Sequence, residues 1–409
     1  MFPELEKALR KHFAPYQNSD ENTQLFTSIL IDLTENTKEK ITNGVPEKQA
    51  LAEAIASLND LDDLLKTIQT QSSGTSIDSK QLTRFYDRFF ATKLVNSLTV
   101  DVAQLNQIIL NYHTATIIVT ETQQKTLIIN EYMNHDRPSL YAQQHLDGDK
   151  VKIEQSARGG AFAFMRIRVE IAIPKSFTGF IYLNDKSGSM LLNDLTSHYI
   201  LDCSTDNGSI IAHNLDLAQI HIQAKSGSVK TAFLTAEQIV LRSTSGSIQL
   251  IHSHGTTVNS MVSTKTRSGD ILLEHLEASE INAENRSGNI TLNFANADTF
   301  NLLDHSGRVA GTELSGSGRF QSTSGTVTLR FKQVNRDISA ISKSGSIRIG
   351  LPFDSEYSFK ANTTNGNVFL PYDTQYNAGS NRRQKSGQHG NKPSFNLTSK
   401  TVSGNIQIN

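Results

Sequence analysis

The chain has 409 residues, enough for two or more domains, and sets 39 Lys and Arg against 40 Asp and Glu. A net charge of −1 excludes the basic footprint of a nucleic-acid binder, and the single cysteine, Cys203, excludes an internal disulfide. No stretch is long and apolar enough to span a bilayer, since the most apolar one, Ala161 to Ile173, contains Arg166, Arg168 and Glu170.

The opening Met1-Phe2-Pro3-Glu4-Leu5-Glu6-Lys7 carries charge where a signal peptide would have its apolar core, so the expectation is a soluble, cytoplasmic chain. Residues 1–72 have helical periodicity. Asn18-Ser19-Asp20 offers a cap before Phe26, Ile29, Leu30 and Leu33, and Gly44 ends that run. Pro46 suits the first turn of a next helix, whose face is Leu51, Ala54, Ile55 and Leu58. Leu61, Leu64, Leu65 and Ile68 form a further stripe. These are core positions for a small helical bundle and carry no chemistry. Asn43-Gly44-Val45-Pro46-Glu47-Lys48-Gln49-Ala50, followed by Ser57-Leu58-Asn59-Asp60-Leu61-Asp62-Asp63-Leu64-Leu65, resembles the helical HAAS signalling module of Gram-positive bacteria. Asn59 replaces that module's usual glycine. The resemblance implies a protein partner for the helical module.

Residues 73–96 are a linker and helix, with Ser73-Gly74-Thr75-Ser76 and then Phe85, Phe89, Phe90 and Leu94 on one side. Residues 97–180 turn to strand-like alternation, as in Arg166-Ile167-Arg168-Val169-Glu170-Ile171, without the corner described next. They are expected to be irregular coils capping a stack.

Residues 181–409 repeat the phrase Ser/Asn-Gly-x-Ile/Val. Its glycines are Gly188, Gly208, Gly227, Gly246, Gly269, Gly288, Gly307, Gly325, Gly345, Gly366 and Gly404. The period near 19 is that of a solenoid. Two residues after each glycine stands an apolar side chain, from Met190 and Ile210 to Ile406. Seven before it the column is apolar again, broken only by Gly318. Glycine at a tight corner tolerates positive φ, and the Ser or Asn before it can bond nearby backbone. Each repeat is therefore strand, corner, strand and return, stacked in parallel about 4.8 Å apart. Asp373 to Ser394 departs from the repeat, with Arg382, Arg383, Lys385, His389 and Lys392, and is expected to be an inserted mobile loop at about 373–394. The fold class is α+β multidomain: a small N-terminal helical bundle, then an all-β, single-stranded, right-handed parallel β-solenoid, with the hand set by parallel crossovers.

Ile128-Ile129-Asn130-Glu131-Tyr132-Met133, Val151-Lys152-Ile153-Glu154-Gln155, Ile171-Ala172-Ile173-Pro174-Lys175 and the Ser-Gly-x-Ile ladder resemble the DUF4097 β-strand-repeat family of candidate adhesins. A helical module joined to such a solenoid is similar to the daptomycin-sensing surface proteins of Gram-positive bacteria. The resemblance implies a non-enzymatic envelope-stress or surface protein, places it at the cell surface, and supplies no catalytic motif.

No cofactor, metal or catalytic site is expected. Acids in the column three before the glycine are only Asp185 and Asp304, six coils apart, and the serines lack a nucleophile elbow. Cys203 follows inward Leu201 by two residues and is read as buried and inert. Two before the glycine stand Lys186, Lys225, Arg267, Arg286 and Lys343, with His305, a broken basic stripe along one edge. It is either a solvated edge that resists sheet association or a linear site for an anionic envelope polymer or lipid headgroups. The last coil, Val402 to Asn409, reads as an uncapped edge open to self-association. The alternatives are a cytoplasmic regulatory scaffold docking a membrane or transcriptional partner and, remotely, a glycan-active β-helix enzyme.

Overall fold

A computed structural model describes residues 2–14, 26, 30, 33–34, 37, 41, 44–56, 58, 92–156 and 166–409. They fall into two compact units, one of Met1–Ser97, Asn130–Pro138 and Gly159–Arg168, the other of Leu98–Ile129, Ser139–Arg158 and Val169–Asn409.

The first unit opens with the helix Pro3–Phe13. Pro3, Glu4 and Glu6 sit in its first turn and Arg10, Lys11 and His12 in its last, matching its dipole. Leu5, Leu9 and Phe13 lie four apart on its buried face and pack with Leu33, Ala54 and Leu58. Phe26 and Leu30 flank that core, with Phe26 edge-on to Phe13 at 5.4 Å. The second helix, Glu47–Ala56, starts where the Pro46 carbonyl accepts from the Gln49 and Ala50 N–H groups. Its buried face is Ala50 and Ala54, continued by Leu58, while Ile55 is exposed. The expected face is thus rotated: small alanines let the helices approach, and Leu51 lies at the margin. The stripe at 61–68, the linker and Phe85, Phe89 and Phe90 lie outside the described residues. Leu94, expected on a helix, is exposed on the strand Lys93–Asp101. There Asn96 donates to Glu131 at 2.7 Å and Ser97 to Asn130 at 2.8 Å, cross-strand bonds that a helix would forgo.

The second unit is a parallel β-solenoid. In one coil Gln219–Ala224 enters a corner at Lys225–Ser228, and Val229–Ala236 leaves it. Ile220 stands in register between Leu201 and Ile239, and Val229 between Ile210 and Ile248. Every apolar member of the two expected inward columns is buried, each contributing about 1.5–3 kcal/mol. Gly318 breaks the column because Phe300, its register partner, needs the room. A Cβ at Gly318 would run into the Phe300 backbone, and one at Gly316 would meet the Phe300 ring. Phe300 and Phe320 fill the space, both fully buried, with ring centroids 6.0 Å apart.

Both ends of the solenoid depart from chain order. Gln107–Tyr112 lies between Phe180–Asp185 and the later strand Lys150–Gln155, parallel to both, and Ala142–Asp147 closes that end antiparallel to Lys150–Gln155. At the other end Phe395–Ser403 is inserted between Ile338–Ser342 and Tyr357–Asn365, parallel to both. Ile406 likewise lies between Ile347 and Val368. The C-terminal coil is therefore an interior rung and not the open edge expected of it. The chain skips one rung after Gly350, builds the outer one, and returns to fill the gap. The segment expected to be a mobile loop is a cap. Gln384–His389 pairs antiparallel with Tyr357–Asn365, and Gln375–Tyr376 pairs with it in turn. Its sequence shows no apolar alternation because backbone bonds, and not a buried face, hold it.

Candidate functional site

The corner is built by close backbone stacking. A Cβ on Gly227 would fall on the Gly208 carbonyl oxygen, and one on Gly246 on that of Gly227, and the same holds along the column. Positive φ, expected of all the corner glycines, occurs only at Gly269, Gly288 and Gly404. The Ser and Asn expected to bond backbone are exposed, and of them Asn207 does so, donating to the Lys186 carbonyl at 3.4 Å. The lock is the column three before the glycine, which is buried throughout and whose Ser, Thr and Asn members donate to the glycine carbonyl of a neighbouring coil, while Ala224, Asp185 and Asp304 do not. Thr205 bonds Gly188 at 3.1 Å, Ser243 bonds Gly227 at 3.0 Å, Asn285 bonds Gly269 at 2.9 Å and Thr401 bonds Gly345 at 2.9 Å. A second ladder runs one residue after the glycine, where a side-chain oxygen accepts the next coil's N–H. Asp270 accepts from Asn289 at 2.7 Å, and Asn289 from Arg308 at 3.1 Å. These columns satisfy corner backbone that has no sheet partner.

Lys186, Lys225, Arg267, Arg286 and Lys343 are all exposed on this edge. The stripe is uneven. Asp206 stands between Lys186 and Lys225, 4.0 Å from the Lys225 ammonium. Arg267 and Arg286 flank registered pairs, Thr266 with Asn285 and Ser268 with Ser287, so they occupy successive rungs about 4.8 Å apart. Neither forms an ion pair among the described residues, whereas nearby Lys265 is neutralised by Glu284 at 2.8 Å. Arg308, on the other side of the corner two coils on from Arg267, extends this arginine patch. Sequence reasoning missed it because it lies in a different column.

It also missed a ring ladder six residues after the glycine. Asp194, Asn214, Phe233, His252, His275, Phe294 and Glu313 all have φ between 49° and 57°. Each bends its strand through the left-handed region, which costs an L-residue roughly 1–2 kcal/mol. Four successive members stack as near-parallel rings. Phe233 and His252 are 5.3 Å apart, His252 and His275 4.6 Å, and His275 and Phe294 4.7 Å. His213 meets Phe233 edge-on at 5.1 Å, and burial holds its pKa down against the pull of Asp194.

Asp185 and Asp304 lie in the corner lock, six coils apart. Cys203 is fully buried, 3.0 Å from the Met190 sulfur, and burial pushes its thiol pKa far up. Among the described residues no group of three or more His, Cys, Asp or Glu could hold a metal ion, and no helix is long and apolar enough to cross a membrane.

A search of curated proteins found no match. Among crystal structures, a candidate adhesin from Bacteroides fragilis NCTC 9343 is 13% identical, with 78% of this chain and 97% of that one covered and a TM-score of 0.29. A candidate lipid-binding protein from Parabacteroides distasonis ATCC 8503 is 10% identical over 77% and 96%, with a TM-score of 0.30. A candidate cell adhesion protein from Clostridium sporogenes ATCC 15579 is 9% identical over 78% and 98%, with a TM-score of 0.18. The family model described as Toastrack DUF4097 matches residues 105–302 and 257–409. With that match over more than half its length, the chain belongs to the Toastrack DUF4097 family.

Proposed function

We propose that this is a non-enzymatic bacterial cell-envelope protein whose solenoid binds a linear polyanion along its corner edge, with the helical unit as a protein-interaction module. The observation that supports this most is the arginine patch: Arg267 and Arg286 exposed on successive rungs with no ion pair among the described residues, and Arg308 exposed across the corner, its N–H on the Asn289 side chain one coil before it. Asp270 is the one exposed acid at these corners, its carboxylate accepting the Asn289 N–H, so the patch stays net positive, which a solvated edge that only resists association does not need. A phosphate-bearing envelope polymer can follow it because both repeat along one direction. The full-length protein should bind poly(glycerol phosphate), more weakly as salt rises. Lys225→Gln, Arg267→Gln and Arg286→Gln combined should weaken binding about tenfold, the loss of ~1.4 kcal/mol from exposed charges. Unchanged affinity in the triple variant would remove this reading.

The second reading, a cytoplasmic regulatory scaffold, is favoured by the helical unit's own buried core of Leu5, Leu9, Phe13, Leu33, Ala54 and Leu58. Proteolysis of intact cells separates the two. Cleavage from outside supports the envelope reading, and full protection supports the scaffold.

A further inference from the structure

We propose that the C-terminal end of the solenoid is a docking surface for an anionic lipid bilayer. Two of the largest exposures in the second unit are here: Phe353 and Tyr372 are 103% and 110% accessible, and Phe369 is half exposed. Rings held this far into water have no packing role. Their placement is shared. The strands Ile347–Gly350 and Val368–Phe369 both pair in parallel with Ile406–Ile408, one on either side. The loops that carry Phe353 and Tyr372 therefore leave the same sheet edge two rungs apart, about 10 Å.

Positive charge lies beside Phe369 and in the segment that follows Tyr372. Arg348, Gln407 and Phe369 are register neighbours on the outer face of this sheet, and Arg348 is exposed. The Arg382 carbonyl accepts the Val368 N–H, which brings Arg382 and Arg383 beside Phe369. Residues 369–394 hold Arg382, Arg383, Lys385 and Lys392 against Asp373 alone, +3 in a chain of net −1. The acids at this end are partly spoken for. Asp373 contacts His389 at 3.4 Å, and Glu356 accepts the Asn391 and Lys392 N–H groups. Asp354 is the exception, next to Phe353. Exposed aromatic rings among cations match the headgroup layer of an anionic bilayer, where rings partition to the interface and cations meet phosphate. A soluble polyanion would use the cations and leave the rings in water.

The chain has no Trp, so Tyr372→Trp places a single fluorophore on this surface without background. With phosphatidylglycerol/phosphatidylcholine vesicles its emission should shift to the blue and vesicle affinity should fall as salt rises. Phe353→Ser, Phe369→Ser and Tyr372→Ser together, and separately Arg382→Gln with Arg383→Gln, should each weaken vesicle binding at least tenfold. Circular dichroism should be unchanged, since these side chains are exposed. The corner variant of Lys225, Arg267 and Arg286 should bind vesicles like the parent, which separates this surface from the polyanion site. No shift with vesicles, an equal shift with soluble poly(glycerol phosphate) or with an acidic protein, or equal loss in the corner variant would each overturn the proposal.

Discussion

Asp304 shows what one residue of the corner lock is worth. One coil before it, Asn285 donates Nδ2 to the Gly269 carbonyl and accepts the Ser287 N–H at Oδ1. Asp304 repeats the second bond, from Ser306 at 3.2 Å, but its buried Oδ2 has no hydrogen-bond partner. The equivalent acceptor is the Gly288 carbonyl, to which only a protonated carboxyl can donate. Burial raises the Asp304 pKa above 3.8, partly offset by N–H groups of Ser306 and His305. The sign follows. The folded state holds a proton that the unfolded chain has released, so this site contributes most below the unfolded pKa. Its contribution falls as pH rises through the raised folded value. Asp304→Asn should therefore stabilise the solenoid by about 1 kcal/mol at neutral pH, one recovered hydrogen bond. Thermal melts of parent and variant should converge near pH 3. A constant difference across pH would mean that the carboxyl is not the cause.

At the scale of the strand, the bend six residues after the glycine is a backbone requirement filled by unlike side chains. His275 has φ 54° and stacks between His252 and Phe294. His275→Val should cost about 2–3 kcal/mol, because a β-branched residue resists this conformation and both ring contacts go. His275→Gly loses the same contacts but relieves the strain, so it should cost about 1 kcal/mol less. Hydrogen exchange along Ile271–Ser287 would read both. The contrast explains what was legible. The columns at Gly188 through Gly404 and the inward Ile and Val each keep one chemistry, so alignment on the glycine exposes them, whereas the lock at Thr205 or Ser243 shares its column with Ala224, Asp185 and Asp304 and was sought one residue before the glycine instead. The bend column runs Asp, Asn, Phe, His, His, Phe, Glu, and nothing in those letters announces a common φ. The basic stripe was visible as letters, with Asp206 interrupting it beside Lys225 in the same column, but its reinforcement by Arg308 depends on which columns are neighbours. The interval from Gly366 to Gly404 was readable as two periods or as one coil plus an insert, yet sequence order gave no sign that the last coil lies inside the one before it.

For the solenoid as a whole, that inversion changes how loss at the C-terminal end spreads. In an ordinary stack, removing the last coil uncovers one rung. Here, deleting residues 395–409 removes the only strand that joins Ile338–Ser342 to Tyr357–Asn365 among the described residues. Hydrogen exchange should then lose protection across 357–392 while coils before Gly325 keep theirs. Protection surviving at 357–369 would show that the outer rung stands without its inner neighbour. A second consequence concerns the order of assembly. Nearest-neighbour zippering, which lets repeat chains fold outward from any seed, stalls at both termini of this unit. Among the described residues, Lys150–Gln155 reaches the preceding rungs through Gln107–Tyr112, and Tyr357–Asn365 reaches them through Phe395–Ser403 once it has threaded into its slot. The final segment acts as a keystone, so the closing step is long-range and slow, and until it occurs the cap and its aromatic loops have nothing to sit on.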